Sequence, residues 1–191
     1  MKKPCVLRAF LLLLLHLCSM NEKISEASVS DIPQLLKLIN SAYRGEDAKK
    51  GWTHEANLID GDIRTDENSL KQVLKTPGAA ILKYEEEGTV LGCVYLQKKA
   101  DRLYLGMLSV SPDRQAQGIG KKLLDAANEH AKFNHCSVIE MTVISVRKEL
   151  IQWYERNGYH PTFKREPFPN DGRFGNPRQQ LEFIYLEKNV H

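Results

Sequence analysis

The chain has 191 residues, with 27 basic and 24 acidic side chains and a formal net charge of +3. That length predicts a single domain with enough chain to bury a core. Three of the basic residues and none of the acidic ones lie in residues 1–20, so the remaining charges cancel and do not indicate a nucleic-acid-binding surface. The four cysteines show neither a Cys-x-x-Cys pair nor the spacing of metal ligands, so we expect no disulfide framework and no metal site.

The first 19 residues form a basic and then leucine-rich leader. Residues 1–8 carry the positive charges and residues 9–18 are almost wholly apolar, which is the order of the first two regions of a secretory signal. The apolar run is shorter than the about 20 residues that a membrane-spanning helix needs, so we expect no stable membrane anchor. Two interpretations stay open: residues 1–19 are a genuine signal peptide, or they lie upstream of a true initiator at Met20. In both, residues 20–191 form the single domain.

Two helices follow a short strand in the first part of the domain. The strand is expected over Lys23–Ser28, and apolar residues at helical spacing from Ile32 to Tyr43 predict a core-facing helix after it. Residues 46–64 are polar and show no period, which predicts irregular structure. A second helix is expected between a cap at Asp66 and the stop signal Thr76-Pro77-Gly78.

The rest of the domain alternates strands with two further helices. The predicted strands are Ala79–Tyr84, Thr89–Gln97, Leu103–Val110, Ser137–Ser145, Tyr159–Lys164 and Leu181–Leu186. The predicted helices begin at Ile119 and Arg147, and glycine and proline breaks in residues 165–179 predict a long loop. The order is therefore strand, two helices, three strands, helix, strand, helix and two strands, which indicates a mixed α/β class.

A glycine-rich joint connects the third of these strands to the helix after it. Pro112 ends the apolar run Leu103–Val110, and residues 115–120 then read Gln-Ala-Gln-Gly-Ile-Gly. The two glycines remove side chains where a ligand would approach the backbone, and the start of a helix offers unpaired N–H groups. The joint therefore predicts a site for a phosphate or pyrophosphate. It is neither a dinucleotide fingerprint, whose third glycine would fall at Leu123, nor a Walker A loop.

Two motifs in this order resemble those of the GNAT N-acetyltransferase superfamily. Gln115, Gly118 and Gly120 match its acetyl-CoA signature Gln/Arg-x-x-Gly-x-Gly/Ala, and residues 153–159 resemble its Tyr-x-x-x-Gly-Phe/Tyr segment on a later helix. The resemblance covers roughly residues 22–188, which is close to one domain in length. It implies a GNAT-like fold, with a mixed, mostly antiparallel sheet of about seven strands and about four helices. It also implies that acetyl-CoA lies in a cleft where the fourth and fifth strands separate.

The same resemblance assigns roles to individual residues. It places the thioester and pantetheine arm along the main chain of the central strand, and the pyrophosphate at the N–H groups of the glycine joint, with Lys121 and Lys122 beside its charge. The cofactor-binding residues implied in this way are Leu108, Ser109, Val110, Gln115, Ala116, Gln117, Gly118, Ile119 and Gly120. Tyr154 matches the general acid of the family, since a phenol is protonated at neutral pH and can donate to the departing thiolate.

The general base is sought in the irregular segment after the first helix, which borders the acceptor site in this superfamily. We expect Glu55 to fill this role, with Trp52 as a hydrophobic wall, and Glu140 is a second candidate. The carboxylates near Glu55 would suit a cationic acceptor.

The sequence departs from the family at Arg147, where an asparagine usually contacts the pantetheine arm. Arginine cannot accept a hydrogen bond, and a surface position is expected for it.

Together these features predict an N-acetyltransferase that moves an acetyl group from acetyl-CoA to a primary amine of a small molecule or peptide. Cys93 and Cys136 lack an evident base, so we expect direct attack in a ternary complex instead of an acyl-cysteine. The alternative is a non-catalytic acyl-CoA-binding regulatory module.

An enzyme that uses acetyl-CoA belongs where that cofactor is made, which favours a cytoplasmic protein starting at Met20 over a secreted one. Nucleic acid is not an expected partner, and a homodimer is one expected assembly because dimers are frequent in the superfamily.

Overall fold

A mostly antiparallel sheet forms the centre of the protein. The computed structural model describes residues 23–169, 172 and 175–191, so the leader and Met20 lie outside the described residues. The strands, in chain order, are β1 (Ile24–Glu26), β2 (Ile59–Asp60), β3 (Ala79–Glu86), β4 (Thr89–Lys99), β5 (Arg102–Val110), β6 (Val138–Ile144), β7 (His160–Pro167), β8 (Asn176–Pro177) and β9 (Glu182–Asn189). Within the described residues, β2 and β8 form a separate pair and the other seven strands form the large sheet.

The helices include four of two turns or more. They are α1 (Ile32–Tyr43), α2 (Gly45–Ala48), α3 (Glu67–Lys75), α4 (Ile119–Phe133) and α5 (Lys148–Arg156). Asp66 caps α3 by accepting a hydrogen bond from the Ser69 backbone N–H at 2.7 Å, as the sequence predicts. The four longer helices are the predicted ones. The sequence did not predict α2, because a helix of four residues is too short to show a helical period.

The large sheet has the strand order β1-β3-β4-β5-β6-β9-β7. β5 and β6 are parallel, and all the other neighbouring pairs of this sheet are antiparallel among the described residues. The predicted mixed α/β fold, with seven strands and four main helices in the stated order, is therefore confirmed.

Two segments that were predicted to be irregular contain short strands. β7 continues to Pro167 and so enters the predicted loop 165–179, and β8 lies within that same loop. β2 lies in the segment 46–64 and pairs with β8, with Ile59 opposite Pro177. Strands of two residues carry no readable alternation, which is why the sequence pattern did not show them.

The sheet opens between β5 and β6. Their parallel pairing extends only from Arg102 beside Val138 to Leu105 beside Met141, although both strands continue beyond these pairs. Past this point the two strands separate. The gap lies between the fourth and fifth strands of the large sheet, as the resemblance implied.

A bulge in β5 lies beside this gap. Met107 and Leu108 together stand opposite a single residue of β4, Val94, and Met107 adopts a φ of +46°. The Leu108 carbonyl accepts a hydrogen bond from the Tyr43 hydroxyl at 2.9 Å. The bulge therefore links the central strand to the end of α1.

Separate cores lie on the two faces of the sheet. On one face, α4 packs on β4, β5 and β6 through buried residues such as Leu123 and Leu105. On the other face, α1 and α3 pack through residues that include Leu35 and Ile39, which are fully buried. A buried side chain of this size contributes about 1.5–3 kcal/mol by leaving water. No helix in the described part of the chain is both long and apolar enough to cross a membrane.

Candidate active site

A cavity of about 330 Å³ lies where β5 and β6 separate, against the first turns of α4 and α5. It is lined by Tyr43, Trp52, Thr53, Leu108, Val110, Arg114, Gln115, Ala116, Gly118, Ile119, Gly120, Lys121, Arg147, Leu150, Trp153 and Tyr154. This set includes seven of the nine residues expected to bind the cofactor, and also Tyr154. No acidic residue is among the described residues that line it.

The glycine motif, residues 115–120, forms one wall of the cavity. Gly118 is the N-cap of α4 with a φ of +81°, a conformation that costs other residues strain, and no side chain caps the helix there. A Cβ added at Gly120 would lie 3.4 Å from the Trp153 ring, so a larger side chain would extend into the cavity. The first N–H groups of a 15-residue helix therefore face open space, which is the arrangement that binds anions at helix starts.

The Gln115 side chain ties the glycine motif to the segment around Trp52. Its amide oxygen accepts a hydrogen bond from the Trp52 backbone N–H at 2.9 Å. Its amide nitrogen donates to the Thr53 hydroxyl at 2.9 Å and to the Val110 carbonyl at 3.2 Å. A Cβ on Gly51 would lie 2.7 Å from this amide, so the segment can approach only because residue 51 has no side chain. Trp52 packs edge to face with Trp153 at 6.2 Å and lines the cavity as expected.

Two basic side chains lie beside the glycine motif. Arg114 pairs with Glu86 at 2.5 Å, and Lys121 pairs with Asp125 one turn along α4 at 2.9 Å. Both line the cavity, and their side chains are 40% and 65% exposed, so they can turn toward a bound phosphate. Lys122, the other lysine expected there, lies instead over the ring of Tyr84.

Two of the expected cofactor residues do not have side chains in the cavity wall. The Ser109 hydroxyl is buried and donates to the Met107 carbonyl at 3.0 Å. The Gln117 side chain is exposed and accepts a hydrogen bond from Arg114 at 3.0 Å. The role implied for both residues is a main-chain one, so it stays a prediction.

The other wall carries a polar cluster, which consists of Tyr43, Thr53, Arg147 and Tyr154. Tyr154 is buried and packs against Trp153, with ring centres 5.0 Å apart. Burial raises the pKa of Tyr154 far above its usual value, and the neighbouring Tyr43 adds to the rise. The phenol therefore keeps its proton throughout the physiological range, and in a proton transfer it can act there only as the acid.

Tyr43 enters the cavity from the end of α1. Burial raises the pKa of Tyr43 to about 12, although the nearby guanidinium groups of Arg64 and Arg147 oppose the rise. Arg64 lies over the ring, 5.4 Å from its centre. The sequence showed Tyr43 only as the last residue of an amphipathic helix, and nothing in that pattern indicated a place in a site.

Glu55, the expected general base, is a buried partner of two arginines. Its Oε2 pairs with Arg44 Nη1, and its Oε1 lies 3.5 Å from Arg147 Nη1. The Glu55 side chain does not line the cavity. Because both carboxylate oxygens face guanidinium groups, the geometry does not leave Glu55 placed to take a proton from an amine, and it favours a structural role.

Arg147 is not on the surface, contrary to the expectation from the sequence. Its side chain is only 9% exposed, pairs with Glu55 and donates through Nη2 to the Thr53 carbonyl. The surface prediction was wrong because both partners lie far away in the chain and no local pattern reveals them. The signal that could have found this residue is its departure from the family pattern beside a matching motif.

Three further titratable side chains, Glu140, His54 and Cys93, lie outside the cavity wall. Glu140 pairs with Arg102 at 2.9 Å and is not in the cavity wall. Burial lowers the pKa of His54, and the imidazole Nδ1 is buried without a partner among the described residues. Burial raises the pKa of the Cys93 thiol to about 12, which disfavours the thiolate that nucleophilic catalysis requires.

The split sheet, the bulged central strand and the glycine-started helix define the GNAT class of fold. Among solved structures, the protein is similar to a ribosomal-protein-alanine N-acetyltransferase from Brucella melitensis, with a TM-score of 0.67 and 19% identity over 87% of this chain and 99% of the other. It is also similar to yncA, a putative acetyltransferase from Salmonella typhimurium solved with its cofactor acetyl-CoA. In that case the TM-score is 0.64 and the identity is 19%, over 90% of this chain and 95% of the other.

Two comparisons of the sequence agree with this fold. Residues 77–161 match the family model of the Acetyltransferase (GNAT) domain. The chain is also 27% identical, over 134 residues, to a mycothiol acetyltransferase from Propionibacterium freudenreichii subsp. shermanii. That match covers 68% of this chain and only 40% of the length of the relative.

Proposed function

We propose that this protein is an acetyl-CoA-dependent N-acetyltransferase that acts on a primary amine of a small molecule or peptide, by direct attack in a ternary complex. The observation that carries the proposal is a single cavity walled by an uncapped helix start on one side and by a protonated tyrosine on another. The match of residues 77–161 to the GNAT acetyltransferase domain supports acyl transfer.

The residues present fit acetyl-CoA. The N–H groups of residues 118–120 suit the pyrophosphate, with Arg114 and Lys121 beside its charge. The edge of β5 at Leu108 and Val110 lies in the cavity wall and suits the pantetheine arm. Acetyl-CoA, when bound, supplies the activated acetyl group as a thioester.

Tyr154 is proposed to donate its phenolic proton to the departing sulfur. The amine nitrogen attacks the acetyl carbon, a C–N bond forms, and the C–S bond breaks with its electron pair on sulfur. Tyr154 then protonates that thiolate, the acylated nitrogen releases its second proton to solvent as the amide forms, and Tyr154 regains a proton from solvent. Its raised pKa keeps the proton available at neutral pH.

The amine loses its proton before attack, because an ammonium has no lone pair. No carboxylate is among the described residues of the cavity wall, so we propose that this proton leaves to solvent. The buried thiol of Cys93, whose pKa is raised to about 12, is not suited to form an acyl-cysteine, which supports direct attack.

The test is a thiol-release assay with Tyr154→Phe. Replacing the acid should lower kcat by about 10²–10⁴ and leave the affinity for CoA unchanged. Both tryptophans of the sequence line the cavity, so their fluorescence reports CoA binding directly. Tyr185→Phe is the control, because Tyr185 lies outside the cavity wall.

Two results would contradict the proposal. An unaltered rate in Tyr154→Phe would remove the tyrosine from the mechanism. CoA binding without release of thiol by any amine would favour the regulatory acyl-CoA-binding module instead.

A further inference from the structure

The polar cluster stands in a positively charged environment, which bears on the acceptor that the proposed enzyme would take. Three arginines, Arg44, Arg64 and Arg147, lie around Tyr43 and its neighbours, and Glu55 is the acid that pairs with two of them. Arg147 shares the carboxylate of Glu55 with Arg44, and no described carboxylate pairs with Arg64. The cationic acceptor that the sequence favoured is therefore opposed by the charge at this site.

Arg147 has donors to spare for a ligand. A guanidinium carries five N–H donors. The contacts to Glu55 and to the Thr53 carbonyl each use one terminal nitrogen and hold the side chain in place. Arg147 also lines the cavity, so its remaining N–H groups are available to a ligand bound there.

Arg64 is the second donor; it contacts Tyr43 of the cavity wall without itself lining the cavity, and the chain fixes its backbone. The Asn40 side chain on α1 accepts hydrogen bonds from the backbone N–H groups of Arg64 at 2.7 Å and Thr65 at 3.0 Å. It also donates to the Thr65 carbonyl at 3.1 Å. The Arg64 guanidinium then lies over the ring of Tyr43, and no described carboxylate pairs with it.

We propose that Arg64 and Arg147 form an anion subsite beside the reaction centre, so that the acceptor carries a carboxylate close to its reacting amine. An amino acid or a peptide with a nearby acidic group fits this description, whereas a polyamine does not. The planar guanidinium suits a carboxylate because it donates two parallel hydrogen bonds. The same positive charges disfavour the ammonium form of a bound amine, which helps it lose its proton.

The proposal rests on the proposed acetyltransferase function, and matched acceptors test it. Amino acids are compared with their amides and with their decarboxylated amines at constant acetyl-CoA, with thiol release as the readout. We expect kcat/KM to be about 10- to 100-fold higher for the carboxylate-bearing member, as for one charge-assisted contact. Peptides with aspartate or asparagine at the second position distinguish a side-chain carboxylate from the α-carboxylate of a free amino acid.

Variants of Arg64 test whether the anion subsite causes the preference for carboxylate-bearing acceptors. Arg64→Gln should lower kcat/KM by about 10- to 100-fold for carboxylate acceptors only, and Arg64→Lys should retain part of the preference. CoA binding, followed by tryptophan fluorescence, should stay unchanged in both. Arg156→Gln is the charge-matched control, because Arg156 is exposed at the far end of α5.

A binding measurement separates this inference from the proposed function. N-acetyl amino acids, which need no transfer step, should bind the CoA-loaded protein more tightly than their amides do, and Arg64→Gln should abolish that difference. Equal binding of acids and amides would overturn the anion subsite, even in an active acetyltransferase. Preferred binding of acids without any acetyl transfer would support the subsite and overturn the proposed function alone.

Discussion

Replacing Glu55 by glutamine decides whether this side chain is a structural partner of two arginines or a catalytic base. The carboxylate is 9% exposed and lies between Arg44, at 1%, and Arg147, at 9%. Glutamine keeps the size of the side chain and removes its charge, so two buried guanidinium groups lose the carboxylate that pairs with both of them. Breaking a buried ion pair in this way costs about 3–5 kcal/mol. The free energy of unfolding of a domain is about 5–15 kcal/mol in total, so this loss is a large part of it. The melting temperature should fall by roughly 6–20 °C.

Thermal unfolding followed by circular dichroism measures this change. Asp60→Asn in the same part of the chain is the matched control, because Asp60 and Arg178 form a pair whose side chains are more than half exposed. Breaking that pair should cost less than about 1 kcal/mol. Adding Arg44→Met to Glu55→Gln should restore part of the stability, since it removes one of the two buried charges that Glu55 pairs with.

The opposite pattern would refute this reasoning. A Glu55→Gln protein that is as stable as the wild type, but has a kcat lowered by about 10²–10⁴, would show that Glu55 takes a proton during the reaction. A loss of stability together with a wild-type dependence of rate on pH supports the structural role.

Three further changes test other parts of the structure. Gly120→Ala should be tolerated, whereas Gly120→Val should weaken CoA binding, measured by tryptophan fluorescence, because the added atoms meet Trp153 and fill the cavity. The raised pKa of Tyr43, about 12, means that its contribution to stability is complete below about pH 10 and is lost as the pH rises toward 12. In denaturant unfolding, Tyr43→Phe should reduce the fall over that range by up to about 3 kcal/mol, and Tyr154, whose pKa is also raised, contributes to the fall that remains. Gly175→Ala should destabilise the protein by at least about 1–3 kcal/mol in thermal unfolding, because its Cβ would lie 2.3 Å from the Asp60 carbonyl oxygen at a φ of +102°.

The sequence predicted those parts of the site that are local in the chain. The glycine motif could be found because a strand, a turn and a helix start follow one another within residues 103–120. Tyr154 could be found because its motif lies within a single helix and its end. Both line the cavity in the structure.

The sequence did not reveal the parts that depend on partners far away in the chain. Glu55 meets Arg147 across 92 residues, and no periodicity or composition records such a contact. Charge alone therefore made Glu55 look like a free base and Arg147 like a surface residue. Tyr43 was hidden for a related reason, since the same helical spacing serves a core residue and a residue that reaches a site.

Gln115 connects the glycine motif to the segment that contains Trp52 and Thr53. Its side-chain amide oxygen and nitrogen form hydrogen bonds to Trp52 and Thr53, while its backbone is part of the loop that leads into α4. Thr53 in turn holds Arg147 through its carbonyl. Binding of the acyl donor at the glycine motif would therefore order the Trp52–Thr53 segment and Arg147, beside which the acceptor is proposed to bind. Steady-state kinetics should then show a compulsory order, with the acyl donor entering first and free CoA leaving last.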